Sequence, residues 1–192
     1  MFILDTDVLS NLRKAKPHPA ARAWLEHTDP DALTTTVVTI MEIQCGIERQ
    51  KPSNPDYAGA TQAWLDRLLE TAAFQVHPLE VRAALLLGRM HETPALRNFT
   101  VSDPRRRQPR TAADLAIAAI AITRGAVVAT GNHAHFEMID ACFPLPGLYN
   151  PFLDTWVRRP DRMAPSRRRQ TGQGDGVCAV QTVYTFITSS PK

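Results

Sequence analysis

The chain has 192 residues, 44% of them hydrophobic, and a formal net charge of +3 at pH 7. This length and composition suit one domain with a buried core. The positive excess belongs to residues 151–192, where seven Lys and Arg face three Asp, whereas residues 1–150 hold 15 Lys and Arg against 16 Asp and Glu. The basic isoelectric point is therefore no argument for a nucleic-acid-binding surface on the body of the protein.

The start of the chain and its cysteines bear on the cellular compartment. Asp5 and Asp7 lie where a signal peptide needs basic and then apolar residues. No apolar run approaches the length of a membrane span. Three cysteines form no CxxC pair and leave an odd thiol, which is typical of a reducing compartment. We expect a cytoplasmic protein that does not enter the membrane.

Hydrophobic periodicity predicts short strands alternating with helices. In chain order these are a strand at 2–4, helices at 8–12 and 19–27, a strand at 32–36, helices at 37–50 and 57–71, a strand at 74–76, a helix at 79–91, a helix carrying Asp114 and ending near Gly125, a strand at 126–129, a helix at 133–139 and an edge strand at 147–150. This alternation predicts an α/β fold in which a central parallel sheet lies between helical layers, in an α/β/α arrangement.

Two segments fall outside this pattern. Arg, Ser, Gly, Gln and Pro dominate residues 158–176, so we expect a domain at 1–151 and a basic, disordered tail at 152–192. Residues 93–110 form a polar loop of a length that is often functional. Four arginines cluster at its end, and they serve either as a solvated loop or as a contact for the phosphates of RNA. They are Arg105, Arg106, Arg107 and Arg110.

Asp114 is the one charged residue between positions 112 and 122. At helical spacing it shares a face with Ile117 and Ala118, which we expect to be buried. A buried carboxylate costs several kcal/mol unless it is paired, hydrogen-bonded or bound to a metal. The structural alternative is a capping box with Thr111, in which Asp114 would stabilise the start of the helix.

Further polar residues follow the predicted strands. Asp5 follows the first strand, and Thr130 and Asn132 follow the fourth. Because the carboxyl ends of parallel strands form the ligand-binding edge of such sheets, we expect these residues at one edge. Asp5 or Asp7 alone could simply cap the next helix.

Glu42 adds a further carboxylate from the helix at 37–50, where its helical neighbours Val38, Cys45 and Gly46 are uncharged. A lone glutamate on a helix usually faces solvent. Clustered carboxylates, however, repel one another unless a cation lies between them. Oxygen ligands favour Mg²⁺ or Mn²⁺, ions that activate water for attack on phosphorus.

Four ordered motifs carry a resemblance to a known family. They are Ile3-Leu-Asp-Thr-Asp-Val-Leu-Ser10, Thr39-Ile-Met-Glu-Ile-Gln-Cys-Gly46, Ala113-Asp-Leu-Ala-Ile-Ala-Ala119 and Ala129-Thr-Gly-Asn-His-Ala-His-Phe136, followed by Tyr149-Asn-Pro151. Together they resemble PIN-domain toxins of the VapC type over roughly residues 1–151. In this chain Asn132 stands where many members have aspartate, and Asp7 stands where they often have asparagine. One metal ion or two therefore stays open.

The resemblance implies a divalent-metal-dependent ribonuclease that is the toxin of a toxin–antitoxin pair. It implies a PIN-like sheet, a homodimer and a cognate antitoxin protein. By the same resemblance Asp5, Glu42 and Asp114 are the metal-binding catalytic acids and Asn132 a fourth catalytic position. Supporting positions are Thr6, Asp7 and Thr130.

Two other functions fit parts of the sequence. A haloacid-dehalogenase-like phosphatase also has Asp-x-Asp after its first strand, but it expects Thr where Leu9 stands and a later catalytic lysine. Residues 52–192 contain no lysine except Lys192. A catalytically silent PIN fold that serves as a binding module is the second alternative, which Asn132 favours and the three acids oppose.

Overall fold

The computed structural model describes residues 1–14, 16–99 and 112–160. Its strands are β1 (Phe2–Leu4), β2 (Leu33–Thr36), β3 (Gln75–His77), β4 (Val127–Ala129), β5 (Leu148–Asn150) and β6 (Thr155–Arg158). Its α-helices are α1 (Thr6–Leu12), α2 (Pro19–His27), α3 (Val37–Gln50), α4 (Pro55–Glu70), α5 (Val81–His91), α6 (Ala113–Arg124) and α7 (His133–Cys142). Short 3₁₀ turns cover Pro30–Ala32 and Pro94–Phe99.

The six strands form one sheet in the order β3-β2-β1-β4-β5-β6. The first five in this order run parallel, which confirms the predicted α/β fold with a central parallel sheet. Leu4 of β1 pairs with Ala129 of β4. The residues that follow these two strands, Asp5 and Thr130, therefore emerge side by side at the carboxyl edge of the sheet.

β6 corrects the prediction that β5 is an edge strand. It pairs antiparallel with β5, with Tyr149 opposite Trp156, so the sheet is mixed and β5 is not its edge. Arg158 Nη1 donates to both carboxylate oxygens of Asp140 on α7, at 2.7 and 2.9 Å. The sheet therefore continues past residue 151, to Arg158 of β6. The remainder of the predicted tail, 161–192, lies outside the described residues.

Side chains alternate between two hydrophobic cores, one on each face of the sheet. Ile3 packs with the residues of α5, α6 and α7, whereas the next residue, Leu4, packs with those of α1, α3 and α4. This alternation is the period-two pattern of a strand buried on both faces. The two cores confirm the predicted three-layer arrangement. None of the helices in the described ranges is both long enough and apolar enough to span a bilayer.

Local sequence explains where the helices near the sheet edge start and stop. Asp5 is the N-cap of α1 and its Oδ1 accepts from Thr6 N at 2.7 Å, so α1 begins two residues earlier than predicted. α6 ends at Gly125, which adopts the left-handed conformation (φ 64°) that glycine tolerates best. The capped N-terminus of α1 thus fixes Asp5 at the edge of the sheet, whereas Gly125 fixes the end of α6 that is remote from Asp114.

Candidate active site

Asp5 is the buried centre of the site, with 3% of its surface exposed. Its Oδ1 accepts from the backbone of Thr6 and its Oδ2 accepts from Thr130 Oγ1, both at 2.7 Å. Thr130 is itself held, since its Oγ1 accepts from Asn132 N at 2.9 Å. The helix-capping role considered for Asp5 is real, and it leaves the second carboxylate oxygen directed at the loop after β4.

Asp7 connects the first turn of α1 to the same loop. Its Oδ2 accepts from Gly131 N at 2.8 Å, while its Oδ1 is buried without a hydrogen-bond partner in the described part of the chain. A Cβ at position 131 would lie 2.7 Å from Phe152 Cδ2 and 2.8 Å from Asp7 Oδ2, so this approach requires glycine. An unpartnered buried carboxylate oxygen is costly and marks a place where a cation would be stabilising.

Asp114 is the second residue of α6, and its side chain is 22% exposed. Ile117 and Ala118 on its face are fully buried, as predicted. The N-cap residue of α6 is Ala112, whose side chain makes no capping bond, and the capping-box alternative depends on Thr111. Thr111 lies outside the described residues. Asp114 Oδ2 contacts His135 Nδ1 at 2.7 Å and accepts from Asn132 Nδ2 at 3.4 Å.

The three aspartates act on one another electrostatically. The pKa of the Asp5 carboxyl lies well above its usual range, first because the group is buried and then because Asp7 and Asp114 carry like charge nearby. Burial also raises the pKa of Asp7, against the hydrogen bond from Gly131, and the Asp114 charge raises it further. Among the described residues, no basic side chain forms an ion pair with Asp5 or Asp7, so carboxyl groups gather here without a basic partner from that part of the chain.

Glu42 is connected to the three aspartates through Thr6, which also donates a hydrogen bond to Asp5. It lies on α3, half-buried, and its Oε2 accepts from Thr6 Oγ1 at 2.5 Å. Within 1–14, 16–99 and 112–160, no three His, Cys, Asp or Glu side chains converge closely enough to hold a metal ion. The structure thus brings Asp5, Asp7, Asp114 and Asn132 to one edge, with Glu42 attached through Thr6, but the three predicted acids do not converge on one point.

The sequence did not single out His135. It lies one turn into α7 from Asn132, at the i, i+3 spacing that places two side chains on one helical face. A histidine three residues after a candidate site residue was the available signal. The four predicted RNA-binding residues, Arg105, Arg106, Arg107 and Arg110, fall outside the described residues.

Replacing Asp7 with Asn should stabilise the metal-free protein at neutral pH. The folded-state pKa of Asp7 is raised, so the ionised carboxylate is less stable in the fold than in the unfolded chain. Wild-type stability therefore falls as pH rises through that pKa, whereas the Asp7→Asn variant escapes this loss. A gain of 1 kcal/mol would raise the Tm by about 2–4 °C in a domain of this size, and we expect a shift of that order.

Melting in EDTA between pH 4 and pH 8 measures this gap. The gap should be widest at pH 8 and should narrow towards pH 4, close to the ordinary pKa of an Asp side chain, because protonation there removes much of the cost of a charged Asp7 in the fold. Asp66→Asn, at an exposed position on α4, is the matched control and should show no widening gap. A gap for Asp7→Asn that stays constant with pH would contradict the electrostatic origin.

Known proteins resemble this chain in sequence and in fold. Residues 2–141 match the PIN domain family. A 65-residue stretch is 29% identical to Ribonuclease VapC14 of Mycobacterium tuberculosis (strain CDC 1551 / Oshkosh), covering 34% of this chain and 63% of that protein. The match thus spans less than two thirds of that relative's length.

Solved structures share the fold at low sequence identity. FitAB bound to the IR36 DNA fragment has a TM-score of 0.60 at 22% identity, covering 79% of this chain and 96% of that one. FitAcB from Neisseria gonorrhoeae has a TM-score of 0.59 at 20% identity, covering 79% and 99%. VapBC2 from Rickettsia felis, bound to a DNA fragment from its promoter, has a TM-score of 0.54 at 16% identity, covering 81% and 98%.

Proposed function

Because the chain belongs to the PIN domain family, we propose that it is a divalent-metal-dependent ribonuclease and the toxin of a toxin–antitoxin pair. The observation that carries this proposal is the meeting of Asp5, Asp7 and Asp114 at the carboxyl edge of the sheet, where the charges of Asp7 and Asp114 raise the pKa of Asp5 and that of Asp114 raises the pKa of Asp7. The relative named a ribonuclease supports the reaction class. Phosphodiester hydrolysis is the chemistry that such an acidic, oxygen-rich site serves.

The residues present fit a hard divalent cation such as Mg²⁺ or Mn²⁺. Their donors are mainly carboxylate oxygens, and Asp7 Oδ1 is a buried oxygen without a partner among the described residues. In the proposed site Asp5, Glu42 and Asp114 would hold the ion, which requires their side chains to turn towards one another when it binds. A bound ion would supply positive charge beside the scissile phosphate and make a water molecule more acidic.

The protein's own side chains prepare the site for that reaction. Thr130 and the Thr6 backbone hold the Asp5 carboxylate in one orientation, and Thr6 Oγ1 holds Glu42. Fixed orientation lowers the cost of assembling the reacting groups. In our proposal a carboxylate of this set accepts the proton of the attacking water. Asn132, whose amide lies 3.4 Å from Asp114 Oδ2, adds no negative charge of its own.

RNA is the proposed substrate, and the cluster at positions 105–110 is the proposed contact for its phosphates. The cluster directly precedes α6, so it lies within ten residues of Asp114 in the sequence. Arginine binds phosphate oxygens through paired hydrogen bonds, and each such contact makes RNA binding more sensitive to salt.

A cognate antitoxin and a second copy of the chain are the proposed protein partners. Their support is the fold shared with FitAB and VapBC2. Val81 and Leu85, one turn apart on α5, are 76% and 68% exposed and offer an apolar face to a protein partner. We place the pair in the cytoplasm, together with the RNA. Co-expression with the adjacent small gene should relieve growth arrest caused by this chain.

Cleavage of RNA by the purified full-length protein is the direct test. We expect products in millimolar Mg²⁺ or Mn²⁺ and none in EDTA. The small phosphomonoester p-nitrophenyl phosphate should stay intact. Its hydrolysis would instead indicate a haloacid-dehalogenase-like phosphatase. An absence of RNA products with either metal, in protein that melts cooperatively, would contradict the nuclease proposal and favour the silent binding module.

A further inference from the structure

The first turn of α7 directs two nitrogen-bearing side chains at Asp114. Asn132 is the N-cap residue of α7, and His135 lies three residues later on the same face. Asp114 Oδ2, His135 Nδ1 and Asn132 Nδ2 form a small triangle. Its edges are 2.7 Å from Asp114 to His135, 2.9 Å from His135 to Asn132, and 3.4 Å from Asn132 to Asp114.

The triangle is held in place and open to solvent. The Phe99 ring packs edge-on against the His135 imidazole with ring centroids 5.2 Å apart, and Phe99 itself is buried. His135 N donates to Asn132 O at 3.2 Å, which fixes the backbone of the turn. The side chains of His135 and Asp114 are 45% and 22% exposed. A small solute can therefore reach a preformed arrangement.

While Asp114 is ionised, hydrogen bonds leave at least one pair of atoms in this triangle without a hydrogen between them. If His135 Nδ1 carries a proton, it donates to Asp114 but meets the N–H₂ of Asn132 as a second donor. If Nδ1 is unprotonated, it accepts from Asn132 but sets its lone pair against the Asp114 oxygen at 2.7 Å. Turning the Asn132 amide lets a protonated Nδ1 face two acceptors, but it leaves the acceptor oxygens of Asn132 and Asp114 unbonded to each other at 3.4 Å.

One arrangement gives all three atoms of the triangle a favourable partner at once. When the amide turns its oxygen inward and His135 is unprotonated at Nδ1, three acceptors point at a common centre, which a cation satisfies. Neighbouring ligands of an octahedral ion with bonds of about 2.1 Å lie about 3 Å apart. The three measured separations bracket that value.

We propose that His135 Nδ1 and the amide oxygen of Asn132 join Asp114 as ligands of a divalent ion. The inference rests on the proposed function, since it assigns further ligands to an ion of that site. Mg²⁺ is usually bound through oxygen atoms and water, whereas imidazole is a ligand of first-row transition metals. His135 therefore sets a preference for Mn²⁺ over Mg²⁺.

Pulsed EPR of Mn²⁺ bound to the full-length protein tests the ligand directly, because a coordinated imidazole nitrogen modulates the electron spin echo. We expect that modulation in the wild type and its loss in His135→Ala. Mn²⁺ affinity should fall by about 10- to 100-fold or more, the range seen when even supporting groups of a metal site are removed. The matched control is His133→Ala on the same helix, where the ring instead lies 3.3 Å from Gly131 O and from Asn150 Nδ2. It should keep the modulation.

A second variant distinguishes a metal-binding role of His135 from a role in stabilising the fold. His135→Asp offers an oxygen in place of the nitrogen, so it should bind Mn²⁺ without nitrogen modulation. Its ratio of Mg²⁺ to Mn²⁺ affinity should rise above that of the wild type. If His135 only braced the fold, the His135→Asp exchange would not change this ratio.

The results that overturn the inference differ from those that overturn the proposed function. Mn²⁺ bound to the wild type without nitrogen modulation, modulation that survives in His135→Ala, or no Mn²⁺ binding at all would each refute the His135 ligand. Metal-dependent RNA cleavage in any of these cases would leave the nuclease proposal intact. Nitrogen-coordinated Mn²⁺ in a protein that cleaves no RNA would refute the function and retain the ligand.

Discussion

Replacing Asp114 with Asn should lower RNA cleavage by roughly 10²- to 10⁴-fold, the range for removing one group that acts in the transition state. The exchange preserves side-chain shape but removes a charge that we propose holds the ion. Asp114 also lies within electrostatic reach of Asp5 and Asp7, so its loss relieves repulsion. The variant should therefore melt within a few degrees of the wild type in EDTA.

Single-turnover cleavage at saturating Mg²⁺ and at saturating Mn²⁺ measures this loss. Asp66→Asn carries the same chemical change at an exposed position of α4 and should stay within about twofold of the wild type. Full activity in Asp114→Asn would remove Asp114 from the site. Loss of activity accompanied by a large fall in Tm would assign it a structural role instead.

Ending the chain at Phe152 should destabilise the protein strongly, whereas ending it at Pro160 should not. The shorter chain lacks β6 and so loses three interactions: the pairing with β5, the ring of Trp156 packed 5.0 Å from that of Tyr149, and the ion pair between Arg158 and Asp140. Deleting a fully buried tryptophan side chain costs about 3–5 kcal/mol; Trp156 is half-buried, so its loss accounts for part of that amount and the lost strand pairing and ion pair add to it. We expect a fall in Tm of roughly 6–12 °C or more.

Thermal melts of the two truncated chains and the full-length protein decide this point. Trp156→Ala in the full-length chain should reproduce part of the fall in Tm. That result would attribute the fall to β6 and not to the shorter chain. The chain ending at Pro160 should also retain metal-dependent cleavage at low salt, since it keeps every proposed site residue. Equal Tm values for both truncations would show that β6 adds nothing to stability.

Local signals were sufficient to predict most elements of the sheet and its helices. The strand at 2–4 and the helices at 19–27 and 37–50 were predicted with the bounds that the structure shows. In these segments the apolar period and the adjacent cap or proline agree, so neighbouring residues alone decide the conformation. The same local reasoning placed Asp5 and Thr130 together, because parallel strands end at a shared edge.

β6 could not be predicted in this way. Thr155 to Arg158 follows a turn with Asp154 at φ 52° and lies at the start of an Arg-rich segment, so its composition indicates a tail. It becomes a strand because Tyr149 and Asp140 supply partners, one on β5 and one on α7. Strand pairing is a property of two segments, and the sequence of one segment does not reveal it.

The sequence by itself determined which residue types stand at the site and on which elements. Tertiary structure alone decided how they meet: Thr130 donates to Asp5 across 125 positions, Thr6 to Glu42 across 36, and His135 contacts Asp114 across 21. The physical reason is that a carboxylate's charge state and its partners depend on burial and on atoms within about 3 Å, which packing brings together from distant parts of the chain.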